Sequence, residues 1–201
     1  MKIKTIIIVL LIYSVNVRCQ ESNKLDLEIK AGPMFIGSGD LWIYTNSIKI
    51  NYSFNKSMSV FLEPAFAFGK NISRNIIIQG QVLPRNSYHS SKKINLGINY
   101  LVLKINKLHL DISPHLSIAK MLFVNQSTAY YLPYEQITQE EFKVAYLPPR
   151  IRNEYTIGGG LGICPAYQFS KNLSIGVGVT TQLYKNGSID HSFNVSLKLG
   201  L

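Results

Sequence analysis

Hydrophobic and polar residues alternate along most of the chain after residue 24. The last nine residues show this most clearly: every second position is bulky and apolar, and the positions between them hold Asn194, Ser196, Lys198 and Gly200. Consecutive side chains of a β-strand point to opposite faces, so this pattern predicts a strand with one apolar and one polar face. Seven earlier segments have the same period, and we expect an all-β protein with eight strands.

The two faces of the predicted strands differ in side-chain size. In residues 173–180, for example, Leu, Ile and Val alternate with Ser, Gly and Thr. The interior of an eight-stranded barrel has little room for side chains, whereas a continuous bulky face suits contact with lipid. The sequence therefore predicts a closed, eight-stranded, antiparallel, up-and-down transmembrane β-barrel. A soluble secreted lipocalin-like barrel is the alternative, because its strands would alternate as well.

The connections between the predicted strands differ in length. Short turns that contain a lysine lie near residues 56, 106 and 171, and longer connections cover residues 37–46, 70–92, 120–153 and 185–190. Short turns of bacterial membrane barrels face the periplasm, so we expect both termini there. Aromatic residues near the strand ends predict two interfacial belts. The belt beside the short turns has Tyr52, Phe54, Tyr167 and Phe169, and the opposite belt has Trp42, Tyr44, Phe66, Phe68, Tyr155, Tyr184 and Phe193.

Three prolines interrupt the predicted strands: Pro64, Pro114 and Pro165. Proline has no N–H for the hydrogen-bond ladder, and a closed barrel has no edge strand to hold it. We therefore expect β-bulges at these positions.

The N-terminal segment has the composition of a signal peptide. Lys2 and Lys4 precede an apolar run over residues 6–13, and a polar stretch follows up to Cys19. The apolar run is too short for a membrane-spanning helix, which needs about 20 residues. We expect residues 1–19 to be a signal peptide and residues 20–201 to be the barrel domain. Lipid modification of Cys19 is the alternative.

With this leader, these turns and this last strand, the chain resembles the small eight-stranded outer-membrane β-barrel proteins of Gram-negative bacteria, in particular the outer membrane protein β-barrel domain type of Bacteroidota. The resemblance implies a place in the outer membrane, contact with its lipid and lipopolysaccharide, and insertion by the barrel-assembly machinery. The implied assembly signal is the terminal strand, with Phe193, Val195, Leu197, Leu199 and Leu201. Leu201 stands where the family usually has an aromatic residue.

Charged residues and a histidine occupy the polar phase of several strands, although the chain as a whole has a formal charge of +10. An unpaired charge inside a narrow barrel is costly, so we expect a paired network that closes the interior. A narrow path for small solutes, ions or protons is the alternative. The predicted network comprises Glu28, Lys30, Lys49, Glu63, Asp111, His115, Glu154 and Lys198.

Two of the longer connections contain candidate binding residues. Tyrosines beside prolines make rigid, amphipathic contact surfaces, and the longest connection has Tyr130, Tyr131, Tyr134 and Tyr146. These residues predict a surface for an extracellular glycan or protein, although a hairpin packed on itself would use them too. Basic residues of the second long connection predict contact with lipopolysaccharide phosphates. They are Lys70, Arg74, Arg85, Lys92 and Lys93.

Catalytic chemistry has weak support in the sequence. His89 and Ser91 superficially resemble the His-x-Ser of outer-membrane lipid A deacylases, but no acid that could orient the histidine follows nearby. The histidines are scattered, and we expect no metal, no cofactor and no nucleic-acid partner. The sequence predicts a non-enzymatic outer-membrane barrel with a structural or surface-binding role such as adhesion. A pore and a lipid-modifying enzyme are the alternatives.

Overall fold

The computed structural model describes residues 25–37, 41–71, 76–78, 81–83, 87–125 and 150–201. Eight of its ten strands form a closed antiparallel barrel in the order β1-β10-β9-β8-β7-β6-β3-β2. Chain neighbours pair along this order, and β1 pairs with β10 to close the wall. The predicted closed eight-stranded barrel is therefore confirmed. The barrel strands are β1 Leu25–Ile36, β2 Leu41–Ser53, β3 Met58–Asn71, β6 Ser87–Ile105, β7 Leu108–Asn125, β8 Arg150–Ser170, β9 Leu173–Tyr184 and β10 Ile189–Gly200.

Two short strands, β4 Ile76–Ile78 and β5 Gln81–Leu83, pair with each other inside the connection from β3 to β6. The barrel strands β6, β7 and β8 have 19, 18 and 21 residues, which exceeds the length needed to cross a bilayer at a tilt. Parts of the predicted long connections therefore belong to the strands. The described residues include no helix long and apolar enough to cross a bilayer.

Several predicted features lie outside the described residues. These are the signal peptide with Cys19, the loop tyrosines Tyr130, Tyr131, Tyr134 and Tyr146, and the basic residues Arg74 and Arg85.

The alternating pattern places bulky apolar residues on the outside of the wall. On β7, Leu116 and Ile118 are exposed, whereas the residue after each of them, Ser117 and Ala119, is buried. The same division holds on the other seven strands. The barrel is thus apolar outside, and small and polar side chains fill most of its inside, which is the reverse of a soluble barrel with an apolar ligand cavity.

Glycine is required where the filled interior leaves no room for a methyl group. A Cβ on inward-facing Gly160 would lie 2.5 Å from His115 Nε2 and 2.6 Å from the Thr181 carbonyl oxygen. Its neighbour Gly159 faces outward, and a Cβ there would meet only the His115 carbonyl oxygen, at 3.6 Å. The glycines between the apolar residues of β8 therefore serve close packing on the inward side only.

The predicted bulges at the strand prolines are wrong. Pro64, Pro114 and Pro165 stay in register with one neighbouring strand, and pairing with the other neighbour resumes beyond each proline in unchanged register. Each proline thus interrupts the pairing with one neighbouring strand, but no extra residue is inserted as in a β-bulge. Register shifts occur instead near the short turns, between Leu101 and Leu103 and between Gln168 and Ser170.

Candidate functional site

On the described strands, the inward-facing lysines with a carboxylate within 4 Å are Lys30, Lys49, Lys93 and Lys198. Lys198 Nζ lies 3.0 Å from Asp26 Oδ2 at the end of the barrel that carries the short turns. Farther inside, Lys49 Nζ lies 3.8 Å from Glu28 and Lys30 Nζ lies 3.2 Å from Glu63. The structure therefore brings the predicted members Glu28 and Lys49, and Lys30 and Glu63, together as ion pairs between different strands. Lys198 also forms an ion pair, but its partner Asp26 is not in the predicted network.

Neutral groups complete the shell around these ion pairs. Ser47 Oγ donates a hydrogen bond to Glu63, and Lys49 Nζ donates to Asn99 Oδ1 at 3.0 Å while lying 4.1 Å from the centroid of the Phe61 ring. Glu63 and Lys49 thus have polar partners besides their counter-ions, and such partners help to offset the cost of desolvation.

Two further predicted members lie inside the barrel with different partners. Asp111 Oδ2 is 3.9 Å from His109 Nε2. His115 pairs with a neutral group, because its Nε2 lies 2.9 Å from Gln182 Nε2, which also donates to Asn95 Oδ1.

The assignment of Lys93 to a basic surface loop is wrong. Lys93 lies on β6 with 4% of its surface exposed, and its Nζ is 2.5 Å from Asp190 Oδ2. Gln182 Oε1 accepts a second hydrogen bond from Lys93 at 3.1 Å. Lys93, like Asn95 and Asn99, occupies an inward-facing position of β6. Continuing the alternating pattern of this strand towards its N-terminal end therefore predicts that Lys93 lies inside the barrel. Asp190 was missed because residues 185–190 were treated as a connection.

Glu154 and Tyr184 also differ from their predicted roles. Glu154 lies at the long-loop end of β8, away from the central ion pairs, where Asn186 and Arg152 donate hydrogen bonds to it. Tyr184, expected in an outer aromatic belt, is inside the barrel and donates a hydrogen bond to Gln182 Oε1 at 2.7 Å.

An apolar layer closes the interior at the long-loop end, which the sequence analysis did not predict. Two buried clusters meet there on the ring of Phe123. We call this layer the apolar plug; it comprises Met34, Ile36, Ile43, Ala67, Ala119, Met121, Phe123 and Tyr184. Met34 and Ile36 continue the inward phase of Glu28 and Lys30, so the inward face changes from charged to apolar along one strand.

Inside the described barrel, two open spaces lie towards the short-turn end. A cavity of about 620 Å³ opens at the short-turn end and is lined by polar and charged residues such as Asp26, His109, Asp111 and Lys198. Beyond it lies a space of about 30 Å³ between Lys30, Lys49 and Glu63. A volume of that size holds one or two water molecules. The Lys93–Asp190 pair and the apolar plug occupy the interior farther along.

The candidate catalytic residues face the wrong way for lipid chemistry. His89 and Ser91 point into the barrel and are 0% and 1% exposed, and the His89 ring packs on Phe123 with 4.2 Å between centroids. An acyl chain outside the wall cannot contact either side chain. Among the described residues, no group of three or more His, Cys, Asp or Glu side chains is arranged to hold a metal ion.

Lys70 and Lys92, predicted in a loop, lie on β3 and β6 and are exposed on the outward face. Phe193, Val195 and Leu197 are exposed on β10, as is the terminal Leu201. Leu199 shares their outward phase.

These features define a class: a closed eight-stranded antiparallel barrel with an apolar outer face and an interior filled with ion pairs. Solved structures of very different sequence share this fold. Neisserial surface protein A matches with a TM-score of 0.59 at 10% identity, covering 90% of this chain and 100% of that one. The crystal structure of Ail, the attachment invasion locus protein of Yersinia pestis, in complex with the heparin analogue sucrose octasulfate matches with a TM-score of 0.55 at 11% identity. The match covers 87% of this chain and 96% of that one.

A major outer membrane protein from Thermus thermophilus matches with a TM-score of 0.50 at 12% identity, covering 87% of this chain and 98% of that one. No protein-family model and no curated protein sequence matches the chain. At these identities the likeness establishes the fold.

Proposed function

We propose that this protein is an integral outer-membrane barrel with a closed interior and a structural or surface-binding role. One observation carries the proposal: bulky apolar side chains cover the outside of a wall whose inside holds buried ion pairs. In water, that outer face would be an apolar patch far larger than soluble monomers expose. In a bilayer it is the expected lipid contact.

The spacing of exposed aromatic residues supports a bilayer location. On β2, Tyr44 and Tyr52 are exposed at opposite ends. Eight residues of strand cover about 27 Å, or about 20 Å across the bilayer at a tilt of about 40°. Apolar bands of membrane barrels are about 25 Å tall. We place the short turns and both termini in the periplasm and the long connections outside, with residues 1–19 removed as a signal peptide.

Cell fractionation followed by a gel of boiled and unboiled samples tests this location. The expected result is an outer-membrane protein whose unboiled band migrates faster and whose first mature residue is Gln20. A soluble periplasmic product with identical boiled and unboiled bands would contradict the proposal.

The interior argues for a closed barrel over a pore. Beyond the 620 Å³ cavity lies a separate space of only about 30 Å³. The Lys93–Asp190 pair and the apolar plug lie farther along the interior. We expect purified protein in planar bilayers to give no steady single-channel current. Large, sustained currents from the wild-type protein would support the pore and contradict the closed interior.

The surface-binding role is proposed for the long-loop end, where Tyr130, Tyr131, Tyr134 and Tyr146 belong to the connection between β7 and β8. The structure of Ail with a heparin analogue is a precedent for ligand binding by a protein with this fold. Cells displaying the protein should bind a glycan array or a host-protein panel, and changing the four tyrosines to serine should abolish that binding. Equal binding by the serine variant at equal surface levels would exclude the tyrosines.

A further inference from the structure

Charged residues on the outward face of the barrel are few and grouped. Among outward-facing strand positions that the structure describes, the Asp, Glu, Lys and Arg side chains reduce to three lysines on three adjacent strands. Lys70 lies on β3, Lys92 on β6 and Lys120 on β7, and all three are exposed. We call them the lysine cluster. No carboxylate accompanies them on the described part of this face.

Lys92 and Lys120 are directly opposite each other in the β6–β7 ladder. Side chains at such positions have Cβ atoms about 5 Å apart, and two like charges there repel each other. An anion between the two ammonium groups would offset this repulsion. The pair therefore places two lysine side chains within reach of one anion on a largely apolar surface.

Aromatic neighbours place the lysine cluster at the edge of the apolar band. Lys92 is opposite Phe66, and Lys70 is opposite Tyr88. Lys120 is opposite Tyr155 in the next ladder, with its ammonium 5.2 Å from the ring centroid. Aromatic residues mark the interface where lipid headgroups lie, and lysine side chains extend along apolar surface to reach it.

The spacing within the cluster selects a lipid with two phosphates. Phe66 is the ladder partner of Lys92, and Lys70 lies four residues beyond Phe66 on the same strand. Four residues of strand span about 13 Å. One phosphate can bridge Lys92 and Lys120, which are direct ladder partners, whereas Lys70 would have to extend along the strand to reach it. A headgroup with a second phosphate at its far end can contact all three.

We propose that the lysine cluster binds the two phosphates of the lipid A part of lipopolysaccharide, with Lys92 and Lys120 on one phosphate and Lys70 on the other. This inference rests on the proposed outer-membrane location. It replaces buried Lys93 with Lys120 in the predicted lipopolysaccharide contact.

Binding of diphosphoryl and monophosphoryl lipid A to the folded barrel in phospholipid nanodiscs tests the site. The double variant Lys92→Gln/Lys120→Gln should bind diphosphoryl lipid A at least about tenfold more weakly than the wild type. The control Lys107→Gln/Lys171→Gln removes the same charge from two short turns and should bind like the wild type. Lys70→Gln should lose the preference of the wild type for the diphosphoryl form.

Stability without lipid A gives an independent readout. Removing Lys92 and Lys120 relieves repulsion, so the double variant should unfold at or above the wild-type temperature in zwitterionic micelles and gain less from added lipid A. Unchanged lipid A binding by a folded double variant would overturn the inference. Equal affinity of the wild type for phosphatidylglycerol would overturn it as well. Failure of the proposed location would appear differently, as wild-type protein outside the outer-membrane fraction.

Discussion

The Lys93–Asp190 ion pair offers a direct test of how the closed interior is stabilised. In Asp190→Asn the carboxylate becomes a neutral amide of nearly equal size, and the Lys93 ammonium loses its counter-ion. The remaining partners are Gln182 Oε1 at 3.1 Å and Met34 Sδ at 3.3 Å, both uncharged. Both side chains of the pair are 3% exposed, so water cannot replace the lost carboxylate.

The expected size of the effect follows from this burial. Removing one partner of a buried ion pair destabilises a protein by about 3–5 kcal/mol, mostly because the other charge stays buried without compensation. The matched control is Asp26→Asn at the mouth of the barrel, where the Lys198 side chain is 26% exposed. The Asp26 side chain is 14% exposed, so this pair is partly buried. We therefore expect a loss between the roughly 1 kcal/mol or less of an exposed pair and the value for Asp190→Asn.

A second variant separates the lost charge from the lost contact. In Lys93→Met/Asp190→Asn no charge remains, so the double variant should be more stable than Asp190→Asn alone.

Urea unfolding of the protein in phospholipid vesicles measures these differences. The chain has one tryptophan, Trp42, which is exposed on the outward face, so its fluorescence reports the transfer of the barrel from lipid to water. Equal losses for Asp190→Asn and Asp26→Asn would refute the reasoning. A double variant as unstable as Asp190→Asn would show that packing, not charge, dominates.

Three further substitutions test the wall, the lipid face and the apolar plug. Gly160→Ala should destabilise the barrel by about 1–3 kcal/mol through overpacking, whereas Gly159→Ala on the outward side should change stability little; equal losses in urea unfolding would contradict the tight interior. The Leu116 side chain is 72% exposed near the middle of the apolar band, so Leu116→Arg should lower the free energy of unfolding in vesicles by about 2–4 kcal/mol. Ile151→Arg, near the rim, should lower it by about 0–1 kcal/mol. Equal losses at the two depths would argue against a bilayer. His89→Leu should raise stability by about 1–3 kcal/mol, because neither ring nitrogen has a protein partner; a fall in the unfolding midpoint would assign the imidazole a stabilising contact.

The alternation of residue types was sufficient to predict the barrel and its two faces. A strand has a side-chain period of two, and only a wall with lipid outside and a narrow interior requires bulky residues on one face and small residues on the other. For the same reason Glu28, Lys30, Lys49 and Glu63 could be placed inside from their phase alone.

Strand ends and side-chain partners could not be read from the pattern. Lys93 and Asp190 lie 97 residues apart in the chain and meet only because β6 and β10 face each other across the interior. Asp190 falls within a predicted connection and Lys93 at the edge of one, since polar residues near the end of an alternating run resemble the start of a loop.

The apolar plug and the lysine cluster show the same difference between what strand phase predicts and what contacts between strands add. Which residues share a face can be read from the chain alone, because phase is a local property of each strand. Which of those residues meet depends on closure of the barrel: the wall brings Met34 and Ile36 towards Phe123 inside, and it places Lys92 opposite Lys120 outside. Register between strands is a long-range property that depends on closure of the whole barrel.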